Sequence, residues 1–99
     1  MAANRKLTGV IRGRTVERVE PSADGTAWLV RFEDGSTMTV RTAPGTAPTR
    51  MAGRVVKVRQ SDTRLDLDLA DGQTLEFATA EPASSVLLRA RDGTLQYAD

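Results

Sequence analysis

Trp28-Leu29-Val30-Arg31-Phe32-Glu33-Asp34-Gly35-Ser36-Thr37-Met38-Thr39-Val40 is the stretch whose reading decides the fold. Trp28, Val30 and Phe32 alternate with Leu29, Arg31 and Glu33, and Met38 and Val40 alternate with Thr37 and Thr39. Alternation with a period of two marks strands with one face turned to a core. Asp34-Gly35 between them is a hairpin signal, because Asp tolerates the turn and Gly supplies positive φ. The faces then select the turn. A two-residue loop sets Val30 against Thr39 and Met38 against Arg31, apolar against polar. A three-residue loop, Glu33-Asp34-Gly35, sets Val30 against Met38 and Trp28 against Val40. Cross-strand partners share a face, so the three-residue loop with a G1 bulge is expected.

The same reading recurs downstream. Asp24-Gly25, Asp71-Gly72 and Asp92-Gly93 repeat the turn signal. With the loop Ala70-Asp71-Gly72, Leu67 faces Leu75 and Leu65 faces Phe77. Asp66 and Asp68 are then expected on a wet outer face with Thr74 and Glu76. Val56 and Val58 are expected to meet Leu67 and Leu65 across a turn at Ser61-Asp62. Two related segments emerge, approximately 13–42 and 53–79, in which Gly13-Arg-Thr-Val-Glu-Arg-Val19 parallels Gly53-Arg-Val-Val-Lys-Val58. Val16 and Val19 differ in parity, which calls for a β-bulge near Glu17-Arg18. Residues 43–51, rich in Pro and Thr, read as a flexible linker. Residues 81–85 read as a turn or 3₁₀ corner, and residues 85–98 as a C-terminal hairpin. No stretch sustains a 3.6-residue period, so no long helix is expected.

The chain is therefore expected to be one all-β domain over residues 1–99, a small SH3-like barrel or β-roll. It would be made of two repeated three-stranded meanders plus the hairpin. Gly53-Arg-Val-Val-Lys-Val58 resembles the glycine-valine strand of KOW-type barrels, and Val30-Arg-Phe-Glu-Asp-Gly35 resembles the hairpin of Tudor-type barrels. Both families are SH3-like, so the resemblance implies a small, strongly bent barrel. A Tudor-type aromatic cage needs clustered aromatics, and the chain holds four: Trp28, Phe32, Phe77 and Tyr97.

Composition narrows the chemistry. With 99 residues the chain has enough length for one modest core. It contains neither Cys nor His, so disulfides, thiolate metal sites and the commonest general base are absent. The segment Asp66-Leu-Asp-Leu-Ala-Asp-Gly72 departs from a calcium loop, which wants an oxygen ligand at position 5, Gly at 6 and Glu at 12, where this chain has Ala70, Asp71 and Phe77. No metal or other cofactor is expected. No Ser has a partner base, and Lys6 and Lys57 are the only lysines. No enzymatic activity is expected. The first seven residues carry charge without a following apolar run, and no stretch approaches the roughly 20 apolar residues of a span, so a cytoplasmic protein off the membrane is expected.

Charge is distributed unevenly. Through Arg59 the chain carries eleven of its fourteen basic residues and five acids, a net +6; from Gln60 it carries three and eight, a net −5. Arg12, Arg14 and Arg18 flank the first repeat, and Arg54, Lys57 and Arg59 the second. A pseudo-two-fold would bring these six together as candidate anion or nucleic-acid contacts. Leu29 and Leu87 sit on otherwise polar faces, as candidates for self-association. The function expected is a non-catalytic binding or assembly module for a protein or for itself. The alternative is a nucleic-acid-binding barrel using the arginines of residues 12–59.

Overall fold

A computed structural model describes residues 2–43, 52–80 and 86–98. Its elements are β1 (Ala2–Ala3), α1 (Arg5–Ile11), β2 (Thr15–Pro21), β3 (Ala27–Phe32), β4 (Thr37–Arg41), β5 (Gly53–Gln60), β6 (Arg64–Leu69), β7 (Thr74–Ala78), β8 (Val86–Arg89) and β9 (Leu95–Ala98). The chain is all-β apart from the short helix. The linker expected over residues 43–51 lies outside the described residues from residue 44 onward, as does the corner at residues 81–85.

Two antiparallel meanders, β2–β3–β4 and β5–β6–β7, carry the fold, and β8–β9 adds a hairpin to the outer edge of β4. Both expected registers are present: Val30 pairs Met38 and Trp28 pairs Val40, while Leu67 pairs Leu75 and Leu65 pairs Phe77. The three-residue loops close as predicted, with Gly35 N–H donating to the Phe32 carbonyl and Gly72 N–H to the Leu69 carbonyl. The aspartates do more than tolerate these turns. Asp34 Oδ1 accepts from the backbone N–H of Ser36 at 2.9 Å, and Asp71 Oδ1 from that of Gln73 at 2.9 Å. Asp24 and Asp92 do the same for Thr26 and Thr94. Each Asp-Gly is thus an Asx-turn that satisfies a backbone donor its loop would leave unpaired.

The two meanders meet in matching register at both ends. Thr15 pairs Arg54 and Val16 pairs Gly53, joining β2 to β5. At the other end Thr42 bridges Thr79, flanked by Ala43 N–H donating to the Ala78 carbonyl and Ala80 N–H to that of Arg41. Thr42 and Ala43 are therefore part of the ladder and not of a linker. Strand pairing runs β7–β6–β5–β2–β3–β4–β8–β9, and the Thr42–Thr79 bridge brings the ends of β4 and β7 together.

One register differs from expectation. Val55 pairs Leu69 and Val58 pairs Leu67, with an irregularity between Val55 and Lys57. Val55 and Val58 are buried, and Val56 points out, 38% exposed. The cause is a second β-bulge, the counterpart of the one observed between Val16 and Arg18. An extra residue in each first strand shifts the register and tightens local twist. Val56 is that residue, so strict alternation assigned it to the wrong face.

The sheet folds around one core of Val16, Val19, Val30, Phe32, Met38, Val40, Val55, Val58, Leu65, Leu67, Leu69, Leu75 and Phe77, extended by Val86, Leu88 and Tyr97. α1 packs against β5 and reaches β9. Asn4 caps it, Oδ1 accepting from Leu7 N–H at 3.0 Å. Leu7 and Ile11, one turn apart and therefore on one face, are fully buried in the core. Thr8 Oγ1 accepts from Val58 N–H at 2.9 Å, and Asn4 N–H donates to the Val58 carbonyl at 2.8 Å. The helix thus takes up the backbone groups that β5 would otherwise leave open beyond the seam.

Gly35 and Gly72 have φ of 90° and 86°. A side chain branched at Cβ resists that region. Gly35→Val and Gly72→Val are each expected to lose more than about 1 kcal/mol in urea melts. The loss should be larger at Gly35, where a Cβ would sit 2.8 Å from Arg91 Cγ and Cδ, than at Gly72, where the space is open. Gly72→Asn should lose less than Gly72→Val, because Asn visits positive φ more readily.

Candidate functional site

The six candidate cations do not form one patch. Arg14 is committed inward: Nη1 donates to Ser36 Oγ at 3.0 Å and to Gln96 Oε1 at 2.9 Å, and Nε lies 3.4 Å from Asp34 Oδ2. It ties the first Asp-Gly loop to β9. Arg18 stands on the β2 bulge, 3.9 Å from Glu20. Arg54 is exposed opposite Thr15 at the seam. Arg59 grips Asp68 with two hydrogen bonds, 2.9 and 2.7 Å. Arg12 and Lys57 do come together, in a groove between α1 and β5.

That groove encloses about 610 Å³ and is lined by Ala3, Arg5, Thr8, Gly9, Arg12, Val56 and Lys57. Three cations ring it, and among the described residues no carboxylate lines it. Arg5, Gly9 and Arg12 are exposed on the side of α1 away from Leu7 and Ile11. Gly9 leaves the helix wall flat, with nothing within 4 Å of where a Cβ would stand. Val56, thrown outward by its bulge, supplies an apolar floor, and Lys57 beside it supplies charge. Thr8, bonded to Val58, holds the wall against the strand. An exposed groove with cations around an apolar floor attracts an extended segment that carries both carboxylates and an aliphatic side chain.

Sequence reading found Arg12 and Lys57 but missed Arg5, because it missed the helix. The signal is present: Asn4 as an N-cap and Leu7 and Ile11 at i, i+4 spacing. A single helical turn of periodicity is hard to see beside so many two-residue alternations.

A second correction concerns Asp66. Expected on a wet face, it is buried, its side chain 4% exposed. It does point away from the core, opposite Arg59 on β5 and Glu76 on β7. Arg59 Nη2 lies 3.8 Å and Arg64 Nη2 3.4 Å from its oxygens, and Arg64 also bonds Glu76. These long side chains fold across the strand and shield the short one between them. Burial raises the Asp66 pKa, and Arg64 opposes the rise. Asp68 moves the other way, lowered by its hydrogen bonds from Arg59. All the carboxylates of this face are held by arginines from adjacent strands. Among the described residues no group of three or more acids is placed to hold a metal ion.

A pH dependence follows. Asp24, bonded by Ser22 and Thr26, is lowered to about 2, and Glu20, Asp68 and Asp92 are lowered by their hydrogen bonds. Asp34 is lowered despite its burial, through the Ser36 bonds. A group with a lowered folded pKa contributes stability above its unfolded value and loses it as pH falls through the folded one. Asp66, raised, acts with the opposite sign. With five groups against one, stability by urea denaturation should fall as pH drops from 3.8 toward 2. Asp68→Asn should make that fall shallower.

A scan of protein-family models and searches of curated proteins and of solved structures found no match to this chain. Among the described residues no helix is long and apolar enough to cross a membrane.

Proposed function

We propose that the protein is a non-catalytic binding module that takes an acidic, partly aliphatic segment of another protein into the α1–β5 groove. The observation that carries the reading is the convergence of Arg5, Arg12 and Lys57 around Val56, with no carboxylate in the lining among the described residues. The groove offers charge and an apolar floor but no nucleophile with a base beside it, and the chain holds no His or Cys to supply one. The KOW- and Tudor-like segments fit the reading, since small bent barrels serve widely as binding modules.

A nucleic acid is the less suitable partner for this groove. Recognition of single strands relies on bases stacked on exposed aromatic rings. Phe32, Phe77 and Tyr97 are buried, and Trp28 packs against the core. None of the four lines the groove.

The test uses three fluorescent probes in an anisotropy titration: a peptide alternating Glu and Val, the same peptide with Gln for Glu, and a mixed single-stranded oligonucleotide. The acidic peptide should bind, weaken with salt, and outcompete its Gln counterpart. Preference for the oligonucleotide, or indifference to Glu against Gln, would overturn the proposal.

A further inference from the structure

α1 carries a glycine in its interior that the fold does not use. The helix reads Arg-Lys-Leu-Thr-Gly-Val-Ile from Arg5 to Ile11, with Gly9 inside it. Glycine destabilises a helix interior relative to alanine, and so short a helix has little stability to lose. The structural reasons that keep a glycine in such a place do not hold at Gly9. Its φ is not positive; the turn that ends the helix uses Gly13 instead, at 88°, just past the C-cap Arg12. No neighbour crowds it, since a Cβ there would have nothing within 4 Å. Gly9 is exposed, and what it faces is the groove.

Arg5 precedes Gly9 by one turn and Arg12 follows it by one turn, so all three share a side of the helix. At a rise of about 1.5 Å per residue the two arginines stand about 10 Å apart along the axis, with the glycine between them. Across the groove, β5 contributes Val56, 38% exposed, and Lys57. The middle of the groove therefore has no side chain on its helix wall and an apolar one on its strand wall. Cations flank this open apolar space. The arrangement matches a segment in which carboxylates stand on either side of an aliphatic side chain.

We infer that Gly9 is the specificity-determining residue of the groove: the side chain it lacks leaves a seat for one aliphatic side chain of the ligand, against Val56. The assignment rests on the groove reading above, and it narrows the ligand to an acidic segment with a valine or larger aliphatic residue between its carboxylates. A leucine at position 9 would project into the open space over Val56 and fill the seat from within the chain. Leucine is also the better helix former. Stability and binding therefore move in opposite directions at this one position. A glycine kept for the sake of the fold would lose both together.

Urea melts combined with anisotropy titrations test it, with three peptides that alternate Glu and Val, Gln and Val, or Glu and Gly. Gly9→Ala and Gly9→Leu should each raise the urea midpoint. Gly9→Leu should weaken binding of the Glu/Val peptide at least about ten-fold, as when one aliphatic side chain loses its buried place. The Glu/Gly peptide brings no side chain to the seat, so its weaker affinity should change by less than about two-fold. A wild-type chain that binds Gln/Val as well as Glu/Val would sink the groove reading and this inference with it. If the wild type prefers Glu/Val, and Gly9→Leu either binds it as tightly or loses both acidic peptides alike, the inference alone is overturned. A lowered urea midpoint for Gly9→Ala would overturn it too, by showing that the fold itself needs the glycine.

Discussion

Leu7→Ala is expected to destabilise the protein by about 2–5 kcal/mol, as for a large aliphatic side chain deleted from a packed core. Leu7 is fully buried although it belongs to a seven-residue helix near the start of the chain. A helix that short is not stable by itself in water. It persists because Leu7 and Ile11 sit in the core, Asn4 caps it, and Thr8 and Asn4 bond the Val58 backbone. Truncating Leu7 therefore removes core volume and loosens the helix against β5 together. Urea melts should show a lower midpoint at unchanged slope. Leu29→Ala, at a half-buried outward position, is the control and should lose well under half as much. A loss below about 1 kcal/mol for Leu7→Ala would mean that the helix rests on the sheet without belonging to its core.

The second large effect concerns binding. Arg5→Glu, Arg12→Glu and Lys57→Glu together should lower affinity for the Glu/Val peptide by at least about 100-fold. Each reversal replaces an attraction by a repulsion, and an exposed pair is worth about 0.2–1 kcal/mol before reversal. All three residues are exposed, so the fold should survive. Arg54→Glu, an equally exposed change on the same strand but outside the groove lining, should cost little. The contrast separates a localised site from general attraction to a basic half-chain. Equal losses for Arg54→Glu and for any one groove reversal would assign the binding to net charge alone.

Much of the architecture could be read from residues. The three-residue Asp-Gly loops, the pairs Val30–Met38 and Leu67–Leu75, and the bulge at Glu17–Arg18 all follow from matching faces across a hairpin. Alternation is a local signal and each hairpin is a local structure, so the two coincide. Reading failed where a non-local event breaks the period. The bulge at Val56 was hidden because Val55, Val56 and Val58 are all suited to either face, whereas Glu17 and Arg18 reveal theirs by polarity. Asp66 was misplaced because burial on the outer face is conferred by Arg59 and Arg64 from other positions in the sheet, which parity along one strand does not register.

The site was half legible for related reasons. Basic residues are visible in the sequence, but their partners depend on topology. Arg14 and Arg59 meet Asp34 and Asp68 across the sheet, and Arg18 meets Glu20 two residues along its own strand. Arg12 and Lys57 meet Arg5 because α1 lies along β5, a packing that no repeat in the sequence announces. The charge asymmetry between the two halves thus pointed to the right residue types and overstated how many of them converge.

The most direct test of the groove is an amide-shift titration of labelled protein with the Glu/Val peptide, at low and at near-physiological salt. Salt-sensitive shifts concentrated on Ala3, Thr8, Gly9, Arg12, Val56 and Lys57 are predicted. Shifts centred instead on Arg14, Arg18, Arg54 and Arg59, or no shifts at low salt, would contradict it.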